Sequence, residues 1–187
     1  MQGEHAVRKI VAGLFISLDG VIEAPETWSF PYMTDEVGQA VGALIADGDT
    51  LLLGRKTYET FAGTFGAGMD DPMAAQMNAI AKVVVSTTLP SADWQNSTLV
   101  KDDVVGAIRR LKQQPGRNIN MSGSGTLLTW LLRQGLLDEL HLIAMPIVVG
   151  HGRRLFECAE SQTPMTLSGS RVFGNGVMHL TYQPAAA

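Results

Sequence analysis

The chain has 187 residues, a formal net charge of −4, 45% apolar residues and 17% charged residues. That suits one domain with an ample core. The acidic balance argues against nucleic acid as the main partner, because phosphate binding needs a basic face. Cys158 is the only cysteine, so neither an internal disulfide nor a cysteine-rich metal site is expected.

In chain order, Lys9–Leu18 reads as a buried strand closed by the turn signal Asp19-Gly20. Its apolar run is too short to span a bilayer and ends in no small-residue cleavage site. Together with the similar run Leu142–Val149, this leads to the expectation of a cytoplasmic protein without membrane contact. Ile22–Met33, with two prolines, Trp28 and Phe30, reads as a loop. Thr34 or Asp35 can cap a helix through Ala46 that turns Val37, Val41, Leu44 and Ile45 to one face.

Leu51–Leu53 forms the next strand and runs into Gly54, Arg55, Lys56 and Thr57. A strand that passes through glycine into a helix entrance aims unpaired N–H groups at an anion. Arg55 can add a guanidinium for phosphate. The same residues also fit an ordinary corner with Thr57 as N-cap.

Phe65–Asp71 is glycine-rich and expected to be mobile. Pro72–Ala81 reads as a helix, Lys82–Ser86 and Ser97–Val100 as strands, and Asp102 or Asp103 caps a helix ended by Gly116. Ile119–Met121 then enters a second corner, Ser122-Gly123-Ser124-Gly125, ahead of a leucine-rich helix Thr126–Gln134. It is no Walker loop, since no Gly-Lys-Ser/Thr follows. It is no G-x-G-x-x-G fingerprint, since Leu128 takes the last position. Two such corners in one small α/β chain suggest a dinucleotide site, with one helix end for each part of the phosphate chain.

Glu139–Val149 reads as a long strand, bent at Pro146. Met165–Phe173 and Val177–Gln183 form a hairpin about Gly174-Asn175-Gly176. The histidines, His5, His141, His151 and His179, lie in no ligand spacing. His141 and His179 are expected as sheet residues, and no metal site is expected. The whole reads as a single α/β domain: one mostly parallel central sheet flanked by helices, with an antiparallel C-terminal edge.

The ordered motifs resemble the dihydrofolate reductase superfamily, most closely the reductase domain of bacterial riboflavin biosynthesis. They are Ser17-Leu18-Asp19-Gly20, Leu53 to Glu59, Val83 to Ser86, Ser122 to Leu127, Asp138-Glu139-Leu140, Pro146 to Gly152 and Leu155-Phe156, over about residues 8 to 183. The resemblance implies NADPH as hydride donor, a pterin-like or ribosylaminopyrimidine small-molecule substrate, and a homodimer. By position, Gly54, Arg55, Lys56 and Thr57 would line the NADPH phosphates. Ser86 and Thr87 would flank the adenosine ribose, Gly123, Ser124, Gly125 and Thr126 would cradle the pyrophosphate, and Ala12 would lie near the nicotinamide.

Three positions depart from the family pattern. Thr87 stands where a base is usual, which leaves Arg55 or Lys56 to supply the charge. Gly123-Ser124 replaces paired glycines. Met33 stands near the position of the folate-binding acid. No deaminase zinc motif precedes the domain, which is expected to act without a fused deaminase.

For the proton that accompanies hydride transfer, Asp35 and Glu36 are the candidates, with Asp19 a third. The same residues also fit a helix cap, a first helical turn and a tight turn. Trp28, Phe30 and Tyr32 could stack on a flat heterocycle or close the core. Beside the reductase stand two other readings: a non-catalytic member that binds a nucleotide or a partner protein, and a flavin- or NADH-using oxidoreductase.

Overall fold

The structure, a computed structural model, describes residues 7–66, 71–157 and 162–185. His5, Cys158 and most of the glycine-rich stretch before Asp71 lie outside them. The elements are β1 (Ile10–Ser17), α1 (Asp35–Ala46), β2 (Gly48–Gly54), α2 (Arg55–Phe65), α3 (Pro72–Ala79), β3 (Ala81–Val85), β4 (Ser97–Val100), α4 (Val104–Gln113), β5 (Asn118–Met121), α5 (Gly125–Arg133), β6 (Glu139–Met145), β7 (Met165–Val172) and β8 (Met178–Pro184). Short 3₁₀ turns, Pro25–Thr27 and Phe30–Tyr32, organise the expected loop after β1.

The eight strands lie in the order β4-β3-β2-β5-β1-β6-β8-β7. All pairs from β4 to β6 are parallel, and β8 runs antiparallel to both β6 and β7. The expected α/β class and antiparallel edge are therefore found. The parallel strands need crossovers, which the helices supply. The β7–β8 hairpin needs only the tight turn at Gly176, whose φ is +84° and whose N–H donates to the Phe173 carbonyl at 2.9 Å.

Alternation along each strand divides the apolar residues between the two faces. One cluster joins Ile10, Ala12, Ile119 and Met121 to Leu128 and Leu131 of α5 and Ile108 of α4. A second joins Leu51, Leu53 and Val84 to Tyr58 of α2 and Met77 of α3. A third joins Val37 of α1 to Trp28, Ile143 and Met145.

Two expectations change here. The strand from Glu139 stops at Met145 because Pro146 has no N–H for the ladder, and Val148 beyond it is 67% exposed. β6 is also paired on both sides, by β1 and β8. Leu140 is 2% exposed.

The second concerns Lys82, the first residue of the valine-rich strand expected over Lys82–Ser86. Its side chain is buried, and Nζ donates to the carbonyls of Asn78, Ile80 and Gln95 at 3.3, 2.8 and 3.0 Å. It also lies 4.2 Å from the centre of the Trp94 ring. The ammonium thus fastens the end of α3 to the turn before β4, and burial pushes its pKa down to about 8.

His141 and His179 are sheet residues as expected. Their Nδ1 and Nε2 atoms lie 2.9 Å apart across the β6–β8 pair.

Candidate functional site

β2 and β5 are neighbours in the sheet, so the helices that follow them start side by side. Open α/β sheets place ligands at this carboxyl end of the strands. The helix starts differ slightly from expectation. Gly54, extended at φ −81° and ψ 162°, is the N-cap of α2, and Thr57 falls within the first turn. Ser124 is the N-cap of α5, its Oγ accepting from the Leu127 N–H at 3.3 Å, and Thr126 lies inside the helix. Gly54 has no side chain, so the N–H groups of the first turn of α2 receive no side-chain cap.

The two corners touch. A Cβ on Gly54 would fall 2.6 Å from the Ser124 Oγ, and one on Gly123 would fall 2.9 Å from the Thr57 Oγ1. Gly123 also holds φ +143°, a conformation that disfavours side chains, and the Gly123–Ser124 peptide is cis.

A cleft of about 640 Å³ opens beside this contact. Lys56, Thr57, Gly123, Ser124 and Gly125 line it, so these predicted cofactor residues are brought together. Phe15, Val41, Leu44, Phe61, Phe65 and Met77 give it apolar surface, while Glu23, Glu26, Thr60, Asn120 and Ser122 also line it, the buried Asn120 Oδ1 without a hydrogen-bond partner.

The cations are distributed otherwise than expected. Arg55 is exposed and pairs with Glu59, one helical turn on, at 3.2 Å. Lys56 lines the cleft and has no ion-pair partner among the described residues. Arg153, on the loop after β6, reaches the same place. Its Nη1 donates to the Thr126 Oγ1 at 3.3 Å, and its backbone N–H donates to the Glu23 Oε2 at 3.0 Å.

A family model, the RibD C-terminal domain, matches residues 8–179. The chain belongs to the RibD C-terminal domain family. The chain is 29% identical to the uncharacterized protein YyaP of Bacillus subtilis (strain 168), covering 94% of both chains. Among solved structures, it is similar to a riboflavin biosynthesis protein, described as putative, from Shewanella sp. PV-4 (TM-score 0.78, 23% identity, 95% of this chain and 99% of that one). It is also similar to the dihydrofolate reductase of Enterococcus faecalis complexed with NADP(H) (TM-score 0.63, 14% identity, 95% and 97%). A third is the diaminohydroxyphosphoribosylaminopyrimidine deaminase/5-amino-6-(5-phosphoribosylamino)uracil reductase of Thermotoga maritima (TM-score 0.67, 13% identity), with 95% of this chain aligned to 57% of that enzyme. These likenesses establish a shared fold, that of dihydrofolate reductase.

The remaining expected cofactor residues stand apart from the cleft lining. Ala12 has no exposed surface and packs in the core toward α5. The Ser86 hydroxyl accepts from the N–H groups of Thr88 and Leu89 at 3.2 and 3.0 Å, which closes the turn after β3, while Thr87 is exposed beside it.

The expected proton donors are not in the cleft. Asp35 and Glu36 lie on the exposed first turn of α1, and Glu36 faces Arg171 at 3.6 Å. The reason is helix phase. Val37 and Leu44 turn toward the sheet, and the acids preceding Val37 turn away.

Asp19 is engaged in holding two loops together. It accepts from the Ser17 hydroxyl at 2.7 Å, from the Val149 and Gly150 N–H groups at 3.1 and 2.9 Å, and pairs with Arg154 at 3.3 Å. The Ser17 hydroxyl first, then the Val149 N–H, hold its carboxyl well below the usual carboxylate range, so it has no proton to give near neutral pH.

Nor do the aromatic residues form a stacking platform. Trp28 is buried in the third core cluster with its Nε1 donating to the Glu23 carbonyl at 2.9 Å, and Phe30 is 71% exposed. Met33 and Tyr32 pack against that same cluster.

Sequence reasoning missed Arg153. Its only signal was the basic pair Arg153-Arg154 in the glycine-rich loop after β6, at the same end of the sheet as both corners. Among the described residues no cluster of His, Cys, Asp or Glu could hold a metal ion, and no helix is long and apolar enough to cross a membrane.

Proposed function

We propose that this chain is a nicotinamide-dependent reductase with NADPH as its donor. The observation that carries the reading is the contact between the Gly54 and Gly123–Ser124 corners, which sets two helix N-termini at one cleft. The residues present fit a dinucleotide. Small residues let the backbone come close, first-turn N–H groups of α2 are uncapped, and Lys56 and Arg153 bring positive charge from opposite sides. Further support comes from the shared fold of the Enterococcus faecalis enzyme, which was solved with NADP(H).

When bound, the dinucleotide supplies a hydride; the chain's own residues bind and orient it. Gly54 to Thr57 and Gly123 to Thr126 would hold its phosphates. Lys56 and Arg153 would read the extra phosphate that distinguishes NADPH from NADH: both line the cleft and Arg55 does not, while Arg153 pairs with Glu157 at 3.7 Å much as Arg55 pairs with Glu59. The apolar walls would exclude water from the reacting carbon. The 5-amino-6-(5-phosphoribosylamino)uracil reduced by the Thermotoga maritima enzyme is the reference substrate for this reading.

A second reading, a non-catalytic nucleotide binder, draws on the outward turn of Asp35 and Glu36. Calorimetric titration with NADPH and NADH, followed by a search for oxidation of the bound donor, separates the two. Binding with turnover supports the reductase, binding without turnover on any acceptor supports the second reading, and no binding of either dinucleotide removes both.

A further inference from the structure

β5 buries Ile119, Asn120 and Met121, and only the middle one is polar. Asn120 is 6% exposed. Its Nδ2 donates to the carbonyls of Leu44 and Ile45 at 3.1 and 2.9 Å, near the end of α1. Gly48 makes room for the amide, since a Cβ there would collide with it. The two carbonyls fix which way the amide faces. Turned over, its Oδ1 would meet two carbonyl oxygens and no donor.

With its donors spent on α1, the side chain has only Oδ1 left to offer. That atom is shut off from bulk water and has no hydrogen-bond partner. Among the described residues the Ser97 Oγ is the other buried side-chain atom in this condition, and Ser97 does not line the cleft. Asn120 does. A buried acceptor without a partner costs free energy, which a ligand bearing a donor recovers.

Asn120 stands in register with Val11 of β1 and Leu51 of β2, and all three line the cleft. Residues in register on neighbouring parallel strands share a face of the sheet. The three therefore make one strip of the cleft floor, an amide between two aliphatic side chains. Water suits that strip poorly. A buried water takes about three hydrogen bonds, and the side chains of Val11 and Leu51 offer none. The strip is also separate from the phosphate corner, because Asn120 precedes Gly123 by three residues, about 10 Å of extended chain.

We propose that Asn120 is a specificity residue of this cleft, its Oδ1 accepting a ring N–H from a neutral, flat heterocycle of the lactam or imide kind. The proposal rests on the reductase reading for a substrate in this cleft and on the floor strip alone for its binding. The ring reaches the atom by pressing aside the side chains above the floor. A neutral amide oxygen selects a neutral donor. A cationic ring would bury its charge between Val11 and Leu51 with no carboxylate on the strip, the cleft acids Glu23 and Glu26 being exposed to solvent. The hydroxyls of Thr60 and Ser122, which also line the cleft, can donate to ring carbonyls.

The test uses 5,6-diaminouracil and 5,6-diamino-1,3-dimethyluracil, which differ in whether the ring nitrogens carry hydrogen. Each is titrated into the cofactor-free protein with ¹³C-labelled asparagine. Ligand-observed NMR gives the affinities, and the Asn120 Cγ resonance reports on its oxygen. The parent should prefer diaminouracil by about tenfold or more, the weight of one buried hydrogen bond. The Asn120 Cγ signal should move downfield with diaminouracil and stay in place with the dimethyl compound. Asn120→Leu, close in volume, should shrink the preference to about twofold or less. A merely structural role would weaken both probes alike and leave their ratio unchanged. Should Asn120→Leu fail to fold by circular dichroism, the Cγ shift in the parent decides the question.

Absence of diaminouracil binding, a Cγ signal that ignores it or moves equally with both probes, or a preference that survives in Asn120→Leu overturns the proposal. So does a Cγ shift with NADPH alone, which would assign the amide to the dinucleotide. Because the probes are bound without cofactor, failure of NADPH to bind would sink the reductase reading and leave their result standing.

Discussion

The backbone of Gly54 approaches Ser124 so closely that a Cβ on the glycine would stand 2.6 Å from the serine Oγ. Gly54 has an ordinary extended conformation, so its lack of a side chain matters for space rather than for φ. Gly54→Val should therefore push the two corners apart. Overpacking of this kind costs about 1–3 kcal/mol of stability. NADPH affinity should fall by about tenfold or more, as the helix ends no longer converge. Gly38→Ala is the control: nothing lies within 4 Å of its added carbon, and it sits inside α1. That change should leave binding unaltered and, if anything, raise the melting temperature.

Charge at the site should follow Lys56 and Arg153 rather than Arg55. Lys56→Ala and Arg153→Ala should each weaken NADPH by about tenfold, the usual weight of a charge-assisted contact, and weaken NADH less. Arg55→Ala removes an exposed pair with Glu59 and should change affinity by about twofold at most. Calorimetry on the three variants with both dinucleotides decides the ranking. A dominant loss at Arg55 would restore the expectation drawn from the sequence.

The outward turn of Asp35 and Glu36 makes a negative prediction. Asp35→Asn and Glu36→Gln should leave NADPH affinity and single-turnover rates within about twofold of the parent. A marked slowing of the reductive step in either variant would mean that α1 rearranges when substrate binds.

Much of the fold was legible in the sequence, and the reasons are local. Gly174-Asn175-Gly176 marked the hairpin because Gly176 needs φ +84°. The strand-to-glycine corners marked both helix entrances. The first of these helices is capped at Gly54 rather than Thr57, and the second starts at Gly125 behind the Ser124 cap, because extended backbone at Gly54 and Ser124 sets the helix starts. Asp35 and Glu36 fall outside the cleft lining because of helix phase. The stripe that begins at Val37 was read correctly, and Glu36, about 100° round the helix, follows from it. Lys82 and Arg153 were missed for tertiary reasons. The carbonyls that hold Lys82 come together only when α3 and the turn before β4 pack. Arg153 meets Thr126 across 27 residues of chain.

Lys82→Met tests how far that buried ammonium supports the region beside the cleft. The carbonyls of Asn78, Ile80 and Gln95 would lose a shared donor. The loss should be about 2–3 kcal/mol, since methionine fills the space but satisfies none of them. Urea unfolding measures it. An unchanged midpoint would show that the carbonyls find other partners.

Asp19 gives a pH prediction with a definite sign. Its folded-state pKa lies below its unfolded value, so its contribution is present above the unfolded pKa, about 3.9, and is lost as pH falls below it. The difference in melting temperature between the parent and Asp19→Asn should be constant through neutral pH and shrink progressively below about pH 4. A difference that persists undiminished in strong acid would mean that the carboxylate charge contributes nothing to joining the loops around Ser17 and Val149.

The convergence of the two corners on one ligand is tested most directly by backbone amide chemical shifts during titration with NADPH. The largest changes are expected together at Gly54 to Thr57 and at Gly123 to Thr126, with smaller ones at Arg153. Shifts confined to one corner, or centred elsewhere on the sheet, would contradict a dinucleotide held between the two helix ends.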